Sequence, residues 1–328
     1  MAHQIIIPKA GGNQVLKHES ITPSTQLLDD SVRVSTSYSG INFADIVMRL
    51  GFYQDAPPFP FVPGYELSGE ISEVGSSVTS LKVGDKVMAG TKFNGYSSEL
   101  ILPASQVVKI GKLSLEQAAA LPVSFLTSYL VFIEQGRVRD GDKILIDCAT
   151  GALGQLSFSL LKKYKLDIVG LTSSESKKKI IEEKGGRAFT HEEFKNSNEK
   201  GFNIVLNSIG GASIMEHYGR LAPSGKIVCI GASSLFENGN RSLFRALKVV
   251  YQMPKFNIIK LMNDCKGVMG LNVLRLFDGT DYLMDLLKKA QEFDLTPHVD
   301  KVFDATDVSA AHAYLESKQA RGKVLLKW

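Results

Sequence analysis

Two hydrophobic rhythms divide the chain. Up to about residue 120, apolar and polar residues alternate in short runs such as Val32-Arg33-Val34-Ser35 and Glu70-Ile71-Ser72-Glu73-Val74, separated by Gly, Pro and Ser. A period of two turns one face of each run toward a core, so this part is predicted to be a β-rich domain. Asn42–Arg49 (NFADIVMR) interrupts it as a short helix, and Pro57, Pro58, Pro60 and Pro63-Gly64 mark a rigid loop behind it. From about residue 120 the rhythm lengthens. Leu121–Glu134 has a helical pattern; Ile144–Ile146, Asp167–Leu171, Ala188-Phe189, Asn203–Leu206 and Lys226–Gly231 then read as strands. Helices fall between them, among them Ser176–Lys184 and a segment from Gly211 to Leu221. Such alternation predicts an α/β domain with a parallel, doubly wound sheet. After Asp278 a helix runs through Leu283, Leu286, Leu287 and Ala290, and the closing GKVLLKW reads as a strand returning to the first domain. The expected division is 1–121 with 277–328, and 122–276.

The most informative stretch is Lys143–Gly154, KILIDCATGALG. An apolar run leads into Ala149-x-Gly151-x-x-Gly154, and Leu153, Leu156, Phe158, Leu160 and Leu161 continue as a helix. Strand, glycine turn and helix start make a dinucleotide-binding pattern: small residues let backbone approach a pyrophosphate, and the helix N-terminus offers free N–H groups. Gly151, Ala152, Leu153 and Gly154 are therefore cofactor-binding candidates. Residues 232–276 are less regular, with Phe236, Phe244, Tyr251 and Phe256 interleaved with Arg241, Arg245, Lys248, Lys255 and Lys260. The expectation is a covering helix or lid, with a membrane-surface segment as the alternative.

At 328 residues the chain suits about two domains, and 44% apolar with 22% charged residues describes a globular protein. A net charge of +4 with scattered basic residues gives no nucleic-acid signature. Cys148, Cys229 and Cys265 form no CxxC, which fits free thiols in a reducing, cytoplasmic setting. The N-terminus lacks the layout of a signal peptide, and the longest uncharged apolar stretch, Ala118–Ile133, is too short to span a bilayer. Membrane association is thus not expected.

Eight segments occur in the order of one known family: GINFADIVMRLGFY (40–53), PGYELSG (63–69), VGDKV (83–87), EQAAALPVSFLTSY (116–129), GDKILIDCATGALGQ (141–155), NSIGG (207–211), GKIVCIG (225–231) and GKVLL (322–326). The chain resembles the zinc-free, quinone-oxidoreductase branch of the medium-chain dehydrogenase/reductase superfamily. With KGVMGLNV in its long segment, it looks most like VAT-1-related members. The resemblance implies a GroES-like β domain, a Rossmann domain and a homodimer, with strand Lys226–Gly231 toward the sheet edge. It also implies cofactor contacts from Ser173, Ser174 and Lys177, and from Asn207, which stands where many relatives have Asp. Thr127, Tyr129, Gly231, Gly270 and Leu271 are expected to line the cofactor cleft.

Zinc relatives carry ligands in the segments matching 40–45 and 64–66, whereas this chain has Asn42, Asp45, Tyr65 and Glu66, so no metal is expected. After the second Rossmann strand come Thr172-Ser173-Ser174 and Lys177-Lys178-Lys179 rather than a terminal acid, which favours a 2′-phosphate and hence NADP. A Thr172/Glu175 capping box, or Glu175 as a ribose partner, stands beside that reading. Without zinc, a substrate carbonyl must be polarised by placed donors. Asn42 and Tyr53 are the candidates, with Asp45 orienting them; a helix cap and simple packing are the alternative roles. His191, His217, His298 and His312 sit in polar-looking contexts and suggest no catalytic histidine. The implied activity is NADPH-dependent hydride transfer to a quinone or α,β-unsaturated carbonyl; the alternative is an NADP(H)-binding protein with little turnover, acting through a membrane or protein partner.

Overall fold

The structure, a computed structural model, describes residues 1–235, 249, 251–277 and 281–328. It divides into two compact units, Met1–Leu126 with Leu274–Trp328, and Thr127–Val273. The first boundary thus falls inside the helix predicted to open the second domain. The reason is local: the Val123 N–H donates to Glu66 Oε2 at 2.8 Å, and the Phe125 ring lies 6.0 Å from Phe293, so the first turn belongs to the β-rich unit.

In the first unit β1 (Ala2–Ile6) and β2 (Lys17–Ile21) form a small antiparallel ribbon. The larger sheet is built from β3 (Ser31–Ile41), β4 (Glu66–Val74), β5 (Lys86–Gly90), β6 (Glu99–Pro103) and β7 (Val107–Lys109). It is completed by β14 (Val299–Asp304) and β15 (Lys323–Lys327). Its order is β14-β15-β3-β4-β5-β7, with β6 also on β3. Alternation does its work here: Val32, Val34, Leu67, Ile71, Val87 and Ala89 point to one core. The C-terminal strand does return, pairing antiparallel to β3 with Val324 opposite Ile41 and Leu325 opposite Gly40. Helix α1 (Phe43–Arg49) starts where β3 ends.

The second unit holds a six-stranded parallel sheet, β10-β9-β8-β11-β12-β13. Its strands are β8 (Lys143–Ile146), β9 (Asp167–Thr172), β10 (Arg187–Thr190), β11 (Phe202–Asn207), β12 (Leu221–Cys229) and β13 (Gly267–Gly270). Between them lie helices α4 (Ala152–Leu161), α5 (Lys178–Glu182), α6 (His191–Asn196) and α7 (Ala212–Gly219). They follow α2 (Leu115–Ala119) and α3 (Pro122–Tyr129) in the chain. The apolar runs that predicted strands fill the core: Leu145, Val169, Leu171, Val205 and Ile227 are all buried. Two expectations change. The strand placed toward the edge is second from it, because β13 pairs with β12, Val268 opposite Ile227. That strand lies in the segment read as a lid, as does helix Ile258–Asp264; Phe236, Arg241, Phe244, Arg245 and Lys248 lie outside the described residues.

Candidate functional site

The parallel sheet starts at β8, runs to β9 and β10 on one side, and returns to β11, β12 and β13 on the other. The switch point therefore lies between β8 and β11, the place outside the carboxyl ends of the strands where open α/β sheets take their ligands. The expected cofactor residues gather at those ends. Gly151–Gly154 follow β8, Ser173 and Ser174 follow β9, and Asn207 ends β11. Gly231 lies just past β12, Gly270 ends β13 and Leu271 follows it.

At β8 the turn is shaped for backbone approach. Gly151 is the N-cap of α4 and has no capping side chain, which leaves first-turn N–H groups at Ala152, Leu153 and Gly154 without a side-chain acceptor. A Cβ on Gly151 would meet only the Cys148 carbonyl, at 3.6 Å, so the space above this glycine is open. Gly154 is different: its Cβ would sit 2.2 Å from the Cys148 carbonyl oxygen and 2.5 Å from Ala149 Cα. One glycine leaves room for a ligand; the other lets helix and strand close on each other. A pyrophosphate fits this cradle.

At the exit of β9, Ser173 is exposed and Ser174 half-buried. The proposed Thr172/Glu175 capping box does not form: Thr172 Oγ1 is buried with no hydrogen-bond partner, and Glu175 pairs with Lys178 Nζ at 2.9 Å. Lys177 is buried on the following turn rather than on a solvated face. Thr127 and Tyr129 are buried on α3. Asn207 has its amide spent inside the protein. Nδ2 donates to Ser213 Oγ (2.9 Å) and sits 3.0 Å from His217 Nδ1, and Oδ1 accepts the Gly210 N–H (3.0 Å). It builds the turn after β11.

Asp147 escaped the sequence reading. It directly follows β8, and its carboxylate crosses the switch point. There it accepts the backbone N–H of Ser208 (2.8 Å) and of Ile209 (3.2 Å) and the Ser208 hydroxyl (2.7 Å). Burial pushes it up to about 6 despite these bonds. A lone carboxylate at the end of an apolar run was the available signal.

In the first unit the candidates Asn42 and Asp45 meet at the N-terminus of α1, while Tyr53 lies beyond its other end, beside Tyr65. Asp45 Oδ2 accepts the Asn42 N–H at 2.7 Å, as a residue at the third helical position does when it caps backwards. It also accepts from the Tyr96 hydroxyl at 3.1 Å, while Oδ1 is buried without a partner. Burial pushes Asp45 up to about 7, against the Asn42 and Tyr96 hydrogen bonds and the Lys323 charge. Behind Tyr96 lies His312, its Nε2 3.3 Å from the Tyr96 oxygen and its Nδ1 3.2 Å from Arg49 Nη1. A guanidinium only donates, so Nδ1 accepts and the proton sits on Nε2. Burial, then the Arg49 charge, depresses His312 to about 3. His312 and His217 are thus neutral buried histidines, although their sequence contexts look polar. Tyr53 shares a hydrogen bond with Tyr65, whose ring is buried and whose hydroxyl donates to Met48 Sδ at 3.2 Å.

The Asn42 side chain is gripped from both sides. Nδ2 donates to Glu66 Oε1 at 2.8 Å, and Oδ1 accepts from Lys323 Nζ at 2.7 Å, 281 residues away in sequence. Lys323 and Glu66 are themselves an ion pair, both buried. Sheet register explains the meeting, since β3 lies between β4 and β15 and Asn42 follows its last residue. Gly40 is needed for it: a Cβ there would come within 2.5 Å of Glu66 Oε1.

These carboxylates do not form a metal site of the soft-ligand kind. Asp45 is closed in by Asn42 and Tyr96 and Glu66 is spent on Lys323. Among the described residues no group of three or more His, Cys, Asp or Glu side chains could hold a metal ion.

Residues 28–112 match the alcohol dehydrogenase GroES-like domain and residues 186–326 the zinc-binding dehydrogenase family. The quinone oxidoreductase-like protein 2 homolog of Nematostella vectensis is 37% identical over 92% of this chain and 83% of its own. The human synaptic vesicle membrane protein VAT-1 homolog is 30% identical over 88% and 76%. Among solved structures, Escherichia coli quinone oxidoreductase complexed with NADPH superposes with a TM-score of 0.84. It is 23% identical and covers 99% of this chain and all of that one. The human VAT-1 homolog-like protein gives 0.83 at 24% identity, covering all of this chain and 98% of that one. With a GroES-like sheet, a doubly wound parallel sheet and relatives at this level of identity over most of both chains, the protein belongs to the medium-chain dehydrogenase/reductase superfamily, in its zinc-free quinone-oxidoreductase and VAT-1-like branch.

Proposed function

We propose that the chain is an NADPH-dependent, zinc-independent reductase that passes hydride to a quinone or to the β-carbon of an α,β-unsaturated carbonyl compound. The observation that carries the reading is the Asn42 amide, held between Glu66 and Lys323 with Asp45 on its backbone N–H. In the segments where zinc relatives carry ligands, this chain offers the Asn42 amide and the Tyr65 hydroxyl beside two carboxyl groups already engaged, Asp45 on Asn42 and Tyr96 and Glu66 on Lys323. Bound NADPH supplies the hydride from nicotinamide C4. The free N–H groups of residues 152–154 would hold its pyrophosphate, and Ser173, Ser174 and Lys177 its 2′-phosphate. Glu175, on the same turn, pairs with Lys178 at the surface. Thr127, Gly231, Gly270 and Leu271 complete the set, and Asn207 acts on it through its turn. Asn42 and Tyr53 polarise the acceptor carbonyl, and Asp45 orients Asn42 through its backbone N–H. A screen of NADPH oxidation against quinones and enones tests this; no turnover of either class would refute it. Lys177→Met is expected to weaken NADPH far more than NADH, and equal loss would reject the 2′-phosphate assignment.

The protein is proposed to act in the cytoplasm as a homodimer, with β13 as the pairing edge. No helix among the described residues is long and apolar enough to cross a membrane. One feature favours the low-turnover, partner-bound reading: helix Ile258–Asp264 exposes Ile258, Ile259 and Met262 beside Lys260, and Tyr251 is exposed upstream. Co-sedimentation with anionic vesicles, abolished by Ile259→Asp and Met262→Asp together, would support that alternative.

A further inference from the structure

Asn42 can polarise a carbonyl only if its Nδ2, not its Oδ1, faces the acceptor, and asparagine amides flip readily unless both ends are committed. Here both are. An ammonium can only donate, so Lys323 takes Oδ1; a carboxylate can only accept, so Glu66 takes one Nδ2–H. The flipped amide would set Nδ2 against Lys323 and Oδ1 against Glu66, two repulsive contacts in place of two charge-assisted bonds. The second Nδ2–H is left over on a half-buried side chain. The other groups around this amide do not compete for it. Asp45 takes the Asn42 backbone N–H, the second Glu66 oxygen takes Val123 N–H, and Lys323 is 2% exposed, too enclosed to reach a substrate itself.

We infer that the buried Lys323–Glu66 pair is a positioning device for the proposed reduction: it locks the Asn42 amide in the one orientation that presents an N–H to the substrate oxygen. Lys323 and Glu66 act through Asn42 and touch no reacting atom. This rests on the reductase reading for its consequence, though not for its geometry. It also gives a reason for the pair to exist, since a buried ion pair adds little to stability over apolar residues of similar volume.

The test uses the full chain and removes both charges together, Lys323→Met with Glu66→Gln, so that neither is left buried alone. Two readouts are taken. In the first, kcat for an enone should fall about 10²-fold, as misplacement of a catalytic group by about an ångström does, with NADPH affinity unchanged. The same double change made in an Asn42→Ala background should cost nothing further. In the second, the side-chain amide resonances of Asn42 in 15N-asparagine-labelled protein, identified by their loss in Asn42→Ala, should move in the variant. Losses that multiply in the Asn42→Ala background, or Asn42 amide signals that stay in place, would overturn the inference. If the parent turns over no acceptor at all, the reductase reading fails, while the amide resonances still decide whether the clamp exists. Should the double variant not fold, Lys323→Gln with Glu66→Gln, which likewise leaves no charge buried alone, is put through the same two readouts, with the same outcomes for and against.

Discussion

Replacing Gly151 and Gly154 singly by alanine separates two roles that one glycine-rich turn combines. Gly151 has φ −80° and ψ 176°, extended backbone that alanine adopts freely, and its added Cβ meets only the Cys148 carbonyl at 3.6 Å. The apo protein should therefore keep its stability to within about 0.5 kcal/mol, or gain slightly from a less flexible unfolded chain. What the methyl does fill is the space over the α4 N-terminus, so NADPH should bind at least about tenfold more weakly, roughly 1.4 kcal/mol. In Gly154→Ala the methyl lies 2.2 Å from a carbonyl oxygen and 2.5 Å from Ala149 Cα, both backbone atoms of the preceding turn. Helix α4 must then shift away from β8, at a cost of about 1–3 kcal/mol or more. At about 2–4 °C per kcal/mol for a domain of this size, the apo melting temperature should fall by several degrees. Differential scanning fluorimetry of the apo proteins and NADPH titration by fluorescence read the two effects. Parent-like NADPH affinity in Gly151→Ala would show that the turn does not approach the pyrophosphate. A parent-like melting temperature in Gly154→Ala would show that the helix–strand contact is not as tight as described.

Other expectations follow from the polar patch and the sheet edge. Asp45 is raised to about 7 from 3.8, so the native state holds its proton more tightly; this favours folding at low pH and is lost progressively as pH rises from about 3.8 to 7, with no further change above. Asp45→Asn should thus gain on the parent with increasing pH across that window, by up to about 1.4 kcal/mol per unit, measured by urea unfolding at pH 5, 6, 7 and 8; a pH-independent difference would count against it. His312 works in the opposite sense, because its depression to about 3 costs stability as pH falls below 6.5. His312→Gln should therefore flatten the acid limb of the same curves. Asn42→Ala should lower kcat by about 10²–10³ and Tyr53→Phe should harm enones more than quinones, with NADPH affinity unchanged in both; parent rates in both would make these residues structural. Prolonged EDTA treatment should leave turnover intact, and sedimentation at micromolar concentration should give a dimer mass.

Much of the architecture was legible because its signals are local. Alternation at Val32–Ser35 and Glu70–Val74 needs only a two-residue period, and Ile144–Ile146 running into Gly151 and Gly154 needs only a dozen consecutive residues, so strands, turn and helix start could be placed directly. Asn42, Asp45 and Tyr53 could be named because their segment carries a recognisable order of residues. What stayed hidden depends on partners far apart in the chain. Nothing near Lys323 announces Glu66 or Asn42; only the antiparallel register of β15 on β3, with β4 on the other side, brings them together. The burial of His312 and the crossing of Asp147 to Ser208 arise the same way, and so does the edge position of β13, a strand of four residues too short to show a period. Sequence alone determined most of the strands and a glycine turn of dinucleotide-binding form, because backbone preference and side-chain period act between neighbours. Tertiary structure alone decided how the Asn42 amide is oriented and which carboxyls hold their protons, because charge, desolvation and hydrogen bonding act between groups that only the fold makes adjacent.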